Sequence, residues 1–106
     1  MTLSVGIRRS GCGVSCSLDV LGDKWSLLIV RDMLFLGKCY FKEFLASGEG
    51  IATNILTDRL RRLEKSGVVT KHSDAENRRQ IVYTLTEKGV ALIPVIVELV
   101  CWGTIY

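Results

Sequence analysis

Residues 51–89 read IATNILTDRLRRLEKSGVVTKHSDAENRRQIVYTLTEKG. Ile51, Ile55, Leu56, Leu60 and Leu63 recur at the three- and four-residue spacing of a buried helical stripe. The opposite face carries Thr53, Asn54, Thr57, Asp58, Arg61, Arg62 and Lys65. Short hydrogen-bonding side chains lead and cations follow. That gradient suits a helix whose first turns meet base edges in a DNA groove while its later turns reach phosphates. A mixed-charge helix standing alone is more often simply solvated, so its neighbours decide the matter.

On the N-terminal side, Phe41 to Ser47 forms another short apolar-periodic segment, joined by the turn-prone Gly48-Glu49-Gly50. Two such segments make a helix-turn-helix. On the C-terminal side, Ser66-Gly67 ends the helix, with Gly67 placed for the left-handed conformation of a helix stop. Val68-Val69 opens a strand, and Ile81-Val82-Tyr83-Thr84-Leu85 alternates as its return. Between them lies SDAENRR, whose Arg78 and Arg79 are placed to enter a minor groove or grip phosphates. The expected fold is mainly α with a small β-hairpin wing, a winged helix-turn-helix in one domain spanning 1–106. Thr53, Asn54, Thr57 and Asp58 are the candidates for base readout. Arg61, Arg62, Lys65, Arg78 and Arg79 are the candidates for phosphate and wing contacts. Arg59 falls at the edge of the buried stripe, where a structural ion pair and a DNA contact are equally open.

The chain resembles the HxlR-type transcriptional regulators, a winged helix-turn-helix group of bacterial and archaeal DNA-binding dimers. The resemblance covers about residues 12 to 102. It is carried by Cys12, Leu18-Asp19-Val20-Leu21-Gly22-Asp23-Lys24-Trp25, the segment Ser26 to Leu34, Gly37 and Phe41-Lys42-Glu43-Phe44. It continues through Ile51 to Leu63, Gly67, Tyr83-Thr84-Leu85-Thr86 with Gly89, and Trp102. The order GDKW, FKEF, YTLTEKG is specific. The resemblance implies double-stranded DNA as partner, a homodimer built from terminal helices at about 12–22 and 87–102, and a cytoplasmic setting. It also aligns Cys12 with a cysteine that some members use to sense oxidants or electrophiles. Two departures stand out. Ala52 occupies a helix-capping position where the family usually has serine, and Cys39 replaces one of the basic residues that often precede the phenylalanine of FKEF.

The C-terminal segment argues for a dimer by itself. Thr86 and Glu87 can start a helix, and VALIPVIVELVCW from Val90 to Trp102 is apolar on almost every side. A helix of that kind must be covered all round, more than a domain of 106 residues can supply. Pro94 and Glu98 interrupt it, and it falls short of the roughly 20 apolar residues of a membrane span, so no membrane partner is expected. Pro94 is expected to kink it, and Val14 through Leu21 of a second protomer is the expected cover. Two recognition helices related by a two-fold axis call for a roughly palindromic operator. Lys24 to Phe35 reads as a further helix, with Trp25, Leu28, Ile29 and Leu36 available for the core and Arg31 and Asp32 in local ion pairs.

Net charge is +3, mild for a nucleic-acid binder; the clustering of cations between Arg59 and Arg79 says more than their sum. MTLSVGIRRS lacks the long apolar region of a secretory signal. The four cysteines, Cys12, Cys16, Cys39 and Cys101, are expected reduced. Arg8, Arg9 and a helix start near Cys12 favour a thiolate there, and Cys16 one turn later could resolve a sulfenic acid. Packing at the dimer interface is the weightier alternative for both, since free cysteine is among the most buried residue types. His72 is the one histidine, so neither a metal site nor a cofactor is expected. No Ser/His/Asp set, glycine-rich phosphate loop or paired carboxylate points to catalysis. The competing assignment is a winged helix used for protein–protein contact with a merely solvated basic face. No motif indicates a small-molecule effector.

Overall fold

The computed structural model describes residues 10–106. Helix α1 (Gly13–Leu21) leads directly into α2 (Lys24–Leu36). Asp23 separates them and caps α2: its Oδ2 accepts from the N–H groups of Trp25 and Ser26 at 3.0 and 3.1 Å. Helices α3 (Phe41–Leu45) and α4 (Thr53–Lys65) follow, joined through Gly48 and Gly50, both at positive φ. They form the expected helix-turn-helix.

Helix α4 ends as its sequence anticipates. Gly67 adopts φ 79°; its N–H bonds to Glu64 O, and the Val68 N–H reaches back to Leu63 O at 2.9 Å. That paired closure satisfies the last carbonyls and turns the chain straight into the wing. Lys88 adds a third cap, donating its Nζ to Ser66 O at 2.7 Å.

Strands β1 (Val69–Ser73) and β2 (Ile81–Leu85) pair antiparallel, with Val69 opposite Leu85 and Ser73 opposite Ile81. A single bridge between Tyr40 and Val82 adds the start of α3 to the outer side of β2. The wing is therefore bonded to the helix-turn-helix on two sides, from α4 and from the residues ahead of α3.

The core sits where α2, α3, α4 and the wing base meet. Ile29, Val30 and Met33 of α2 pack with Phe44, Ile51, Leu56, Leu60, Leu63, Val68 and Val69. Full burial of a leucine side chain stabilises by roughly 1.5–3 kcal/mol, and α4 buries three, which fixes its polar face outward. Ile55, expected in the stripe, is half-buried, and Ile51 is buried ahead of the helix rather than in it. Helix α3 stops at Leu45 instead of Ser47. Leu28 is half-buried, and Leu36, the last residue of α2, is 60% exposed.

The C-terminal helix differs from the expected kinked rod. It breaks into α5 (Glu87–Val90) and α6 (Ile93–Ile105). Pro94 lies in the first turn of α6, where its missing N–H has no helical partner to lose, so the discontinuity falls at Ala91-Leu92. Thr86 caps α5, accepting from Gly89 N–H at 3.2 Å. Gly89 has a steric reason to be glycine, because a Cβ there would lie 2.4 Å from Val68 O. Only Ile96 of α6 is buried. Residues 87–105 have the length and apolarity of a membrane span, with most of that surface uncovered.

Candidate nucleic-acid interface

The outward face of α4 presents Thr53, Asn54 and Thr57 as exposed side chains in its first turns, followed by exposed Arg61, Arg62 and Lys65. The order read from the sequence is the order in space. Arg78 and Arg79 are exposed at the wing tip. The tip is ordered by its own acids and amides: Asp74 Oδ1 accepts from Glu76 N–H at 3.1 Å, and Asn77 Oδ1 from Arg79 N–H at 3.2 Å. The two arginines thus project from a pinned turn.

The start of α4 is left open. Ala52 is its N-cap and supplies no side-chain acceptor. The first N–H groups therefore face outward with the positive end of the helix dipole. Restoring an acceptor with Ala52→Ser is expected to raise the stability of the fold by about 1 kcal/mol, read as an increased urea midpoint at unchanged m-value. An unchanged midpoint would show that another group already satisfies these N–H groups.

Two of the polar residues on α4 have partners of their own. Thr57 Oγ1 donates to Thr53 O at 2.9 Å, leaving its lone pairs and methyl for contact. Asp58 is ion-paired with Arg59 and lies 3.8 Å from Arg62 Nη1. Asp58 is thus the one base-readout candidate already engaged by cations.

Arg59 is resolved in favour of structure. Its Nε donates to Asp23 Oδ2 at 2.8 Å, the same oxygen that caps α2. Partial burial pushes the Asp23 carboxyl up, but hydrogen bonds from Ser26, Arg59 and the backbone outweigh it and hold the group below its ordinary range. The Asp23–Arg59 pair ties the α1–α2 junction to the middle of the recognition helix. Asp23 was recognisable as a helix cap, since it stands directly ahead of an apolar-periodic run. Its long-range partner, 36 residues away, carried no sequence signal.

A second tie was also illegible. Tyr40 donates its hydroxyl to Asp74 Oδ2 at 2.8 Å, joining the entry of α3 to the wing. That hydrogen bond, with lesser help from burial, pushes the Tyr40 phenol up to about 12 and holds Asp74 below its ordinary value. Glu43 Oε1 accepts from the N–H groups of Cys39 and Tyr40, both at 3.0 Å. Burial and then the Glu43 charge push the Cys39 thiol up. Cys39 serves the fold through its backbone, its carbonyl accepting from Tyr83 N–H at 2.9 Å.

A helix-turn-helix with an exposed cationic recognition face, braced by a two-stranded wing with arginines at its tip, is the geometry of a DNA-binding regulator. The sequence profile of the HxlR-like helix-turn-helix family matches residues 20–106. The chain belongs to that family. Over 96 residues it is 35% identical to YybR, an HTH-type transcriptional regulator of Bacillus subtilis (strain 168), spanning 91% of this chain and 76% of YybR. The crystal structure of PA1607, described as a candidate transcription factor, superposes with a TM-score of 0.87 at 44% identity, covering 92% of this chain and 67% of that one. The redox regulator HypR in its reduced form gives 0.74 at 30% identity, covering 88% and 91% respectively.

In this HxlR-like regulator Cys12 is exposed at the N-cap of α1. The Cys16 thiol, one turn on and half-buried, donates to Ser10 O at 2.9 Å. Arg8 and Arg9, expected to favour a Cys12 thiolate, lie outside the described residues. Cys101 is exposed on α6. Among the described residues no three His, Cys, Asp or Glu side chains are grouped to hold a metal ion.

Proposed function

We propose that this HxlR-like regulator acts as a cytoplasmic homodimer on a roughly palindromic operator, reading bases through Thr53, Asn54, Thr57 and Asp58. Arg61, Arg62, Lys65, Arg78 and Arg79 grip the backbone, and Cys12 is the thiol positioned to respond to oxidants or electrophiles. The chain functions as a single domain, with α1 and α6 as its dimerisation helices.

The observation that carries the dimer is α6 itself. Val95, Val97, Leu99, Val100, Trp102 and Ile105 are between 41% and 71% exposed, and Val14 and Leu18 of α1 are 70% and 59% exposed. Isolated apolar side chains on a surface need no explanation, but contiguous ones on two terminal helices mark an association surface. The redox regulator HypR supports the thiol reading, as does the exposure of Cys12.

The test is selection of bound genomic fragments at fixed, near-physiological salt with reductant present. Enrichment of an imperfect palindrome, with half-sites about one DNA turn apart or a multiple of that, is the expected result. Recovery of random fragments only, released by modest salt, would reduce the basic face to non-specific charge and bring forward the protein-interaction alternative. Repeating the selection with a quinone or hypochlorite in place of reductant then asks whether Cys12 matters. Release by wild type but not by Cys12→Ser is the supporting outcome.

A further inference from the structure

The described surface contains a groove of about 390 Å³ between the entry of α3 and the returning arm of the wing. Tyr40, Phe41 and Lys42 form one wall; Arg79, Gln80, Ile81 and Tyr83 form the other. We propose that this groove seats one sugar–phosphate unit of the DNA backbone, with the phosphate held between Lys42 and Arg79. The proposal rests on the DNA-binding face described above and adds Lys42, which lies outside the recognition helix.

Three observations support it. First, the walls are bonded to one another. Tyr83 N–H donates to Cys39 O at 2.9 Å, Tyr40 bridges to Val82, and the Tyr40 hydroxyl holds Asp74 at the far side of the wing loop. A groove fixed in this way spends little ordering energy when it is occupied.

Second, its charge is uncompensated. Among the described residues neither Lys42 nor Arg79 has an ion-pair partner. The neighbouring acids are committed elsewhere: Glu43 to the backbone of Cys39 and Tyr40, and Asp74 to Tyr40 and Glu76. Neither lines the groove. Third, the same groove is lined by the rings of Tyr40 and Phe41 and by the 40%-exposed Ile81, an apolar surface suited to a deoxyribose face. Lys42 Nζ stands 6.0 Å from the Tyr40 ring centroid, so its stem is already laid along that wall. Phosphate contacts of this kind fix register on the duplex while leaving sequence to the recognition helix.

The experiment uses the full chain and an operator fragment recovered by the selection above, with single phosphates replaced one at a time by neutral methylphosphonate. Wild type is expected to lose about 10-fold in affinity when this phosphate is neutralised in one half-site, and Lys42→Gln, which removes the contact from both half-sites, to lose about 100-fold on unmodified DNA. The decisive expectation is non-additivity: for Lys42→Gln, neutralising that same phosphate produces no further loss, while every other substituted phosphate costs what it costs wild type. Losses that add at every phosphate overturn the proposal, as does an unchanged affinity for Lys42→Gln. Arg61→Ala separates this failure from that of the underlying reading. If Arg61→Ala weakens binding and Lys42→Gln does not, the groove alone is refuted. If neither changes binding, the assignment of the cationic face falls with it. Lys42 is exposed, and an unaltered circular-dichroism melt for Lys42→Gln excludes unfolding as the cause.

Discussion

Val97→Asp combined with Val100→Asp is expected to convert the protein to a monomer and lower its operator affinity by at least about 100-fold, the scale on which linking two binding modules raises avidity. Both side chains are already solvent-facing in the single chain, at 41% and 57% exposure. Aspartate there removes little from the protomer core, to which α6 contributes only Ile96. Buried against a partner, the same carboxylates would be unpaired charges in an apolar contact, which is strongly unfavourable. The helical content should therefore persist while the sedimentation coefficient falls to that of one chain. Random-sequence DNA binding, which needs only one cationic face, should weaken far less than operator binding. A variant that sediments like wild type and keeps its operator affinity would remove α6 from the interface. The apolarity of residues 87–105 also invites a lipid test. Flotation of wild type, but not the variant, with phosphatidylcholine vesicles would assign this helix to a bilayer instead.

The parts of this fold that were legible in the sequence are those held by local rules. The stripe Leu56, Leu60, Leu63 placed α4; Gly67 placed its end; the alternation of Ile81 to Leu85 placed β2; and Thr86 placed the cap of α5. Each rests on a period or on one residue's backbone preference. What could not be read is the set of contacts between distant segments. Arg59 with Asp23, Tyr40 with Asp74, and the bridge of Tyr40 to Val82 decide how α4 and the wing are oriented, yet none has a periodic or nearest-neighbour signature. The Pro94 discontinuity shows the limit of a correct premise. Proline does interrupt a helix, but it is tolerated in a first turn, so the chain places the break two residues earlier and starts a new helix around it. Leu36 shows the same limit for burial: apolar character identified a candidate, while its place at the end of α2 left it exposed. For the interface, side-chain exposure on α4 followed from periodicity, whereas the engagement of Asp58 by Arg59 and Arg62 became visible only with the side chains in place.

The second large effect concerns the cationic face, for which replacing Arg61, Arg62 and Arg79 with alanine should lower DNA affinity on the order of 1,000-fold at moderate salt. None of the three is buried, and of these only Arg62 has an ion pair, a long one to Asp58 at 3.8 Å, so the fold should be left intact. If each arginine neutralises a phosphate in both half-sites, about six counterions fewer are released, and the plot of log K against log salt becomes shallower by about 5 units. This loss should be nearly equal for operator and random DNA, because phosphates carry no sequence. Thr53→Ala and Asn54→Ala must behave in the opposite way. A good base contact contributes about 1–3 kcal/mol of discrimination, so each should weaken operator binding by roughly 5- to 150-fold, leaving random DNA and the salt slope almost unchanged. The contrast between the two groups is more diagnostic than either loss. Equal losses on operator and random DNA for Thr53→Ala and Asn54→Ala would remove both from base readout. A triple arginine variant with an unchanged salt slope would show that these cations never reach the backbone, whatever its affinity. Asp58 lies between the two patterns, since Asp58→Ala deletes a candidate reader and at the same time releases Arg62 for phosphate contact. Its operator affinity should fall while its affinity for random DNA rises, a pair of opposite signs that a purely structural role for Asp58 does not produce.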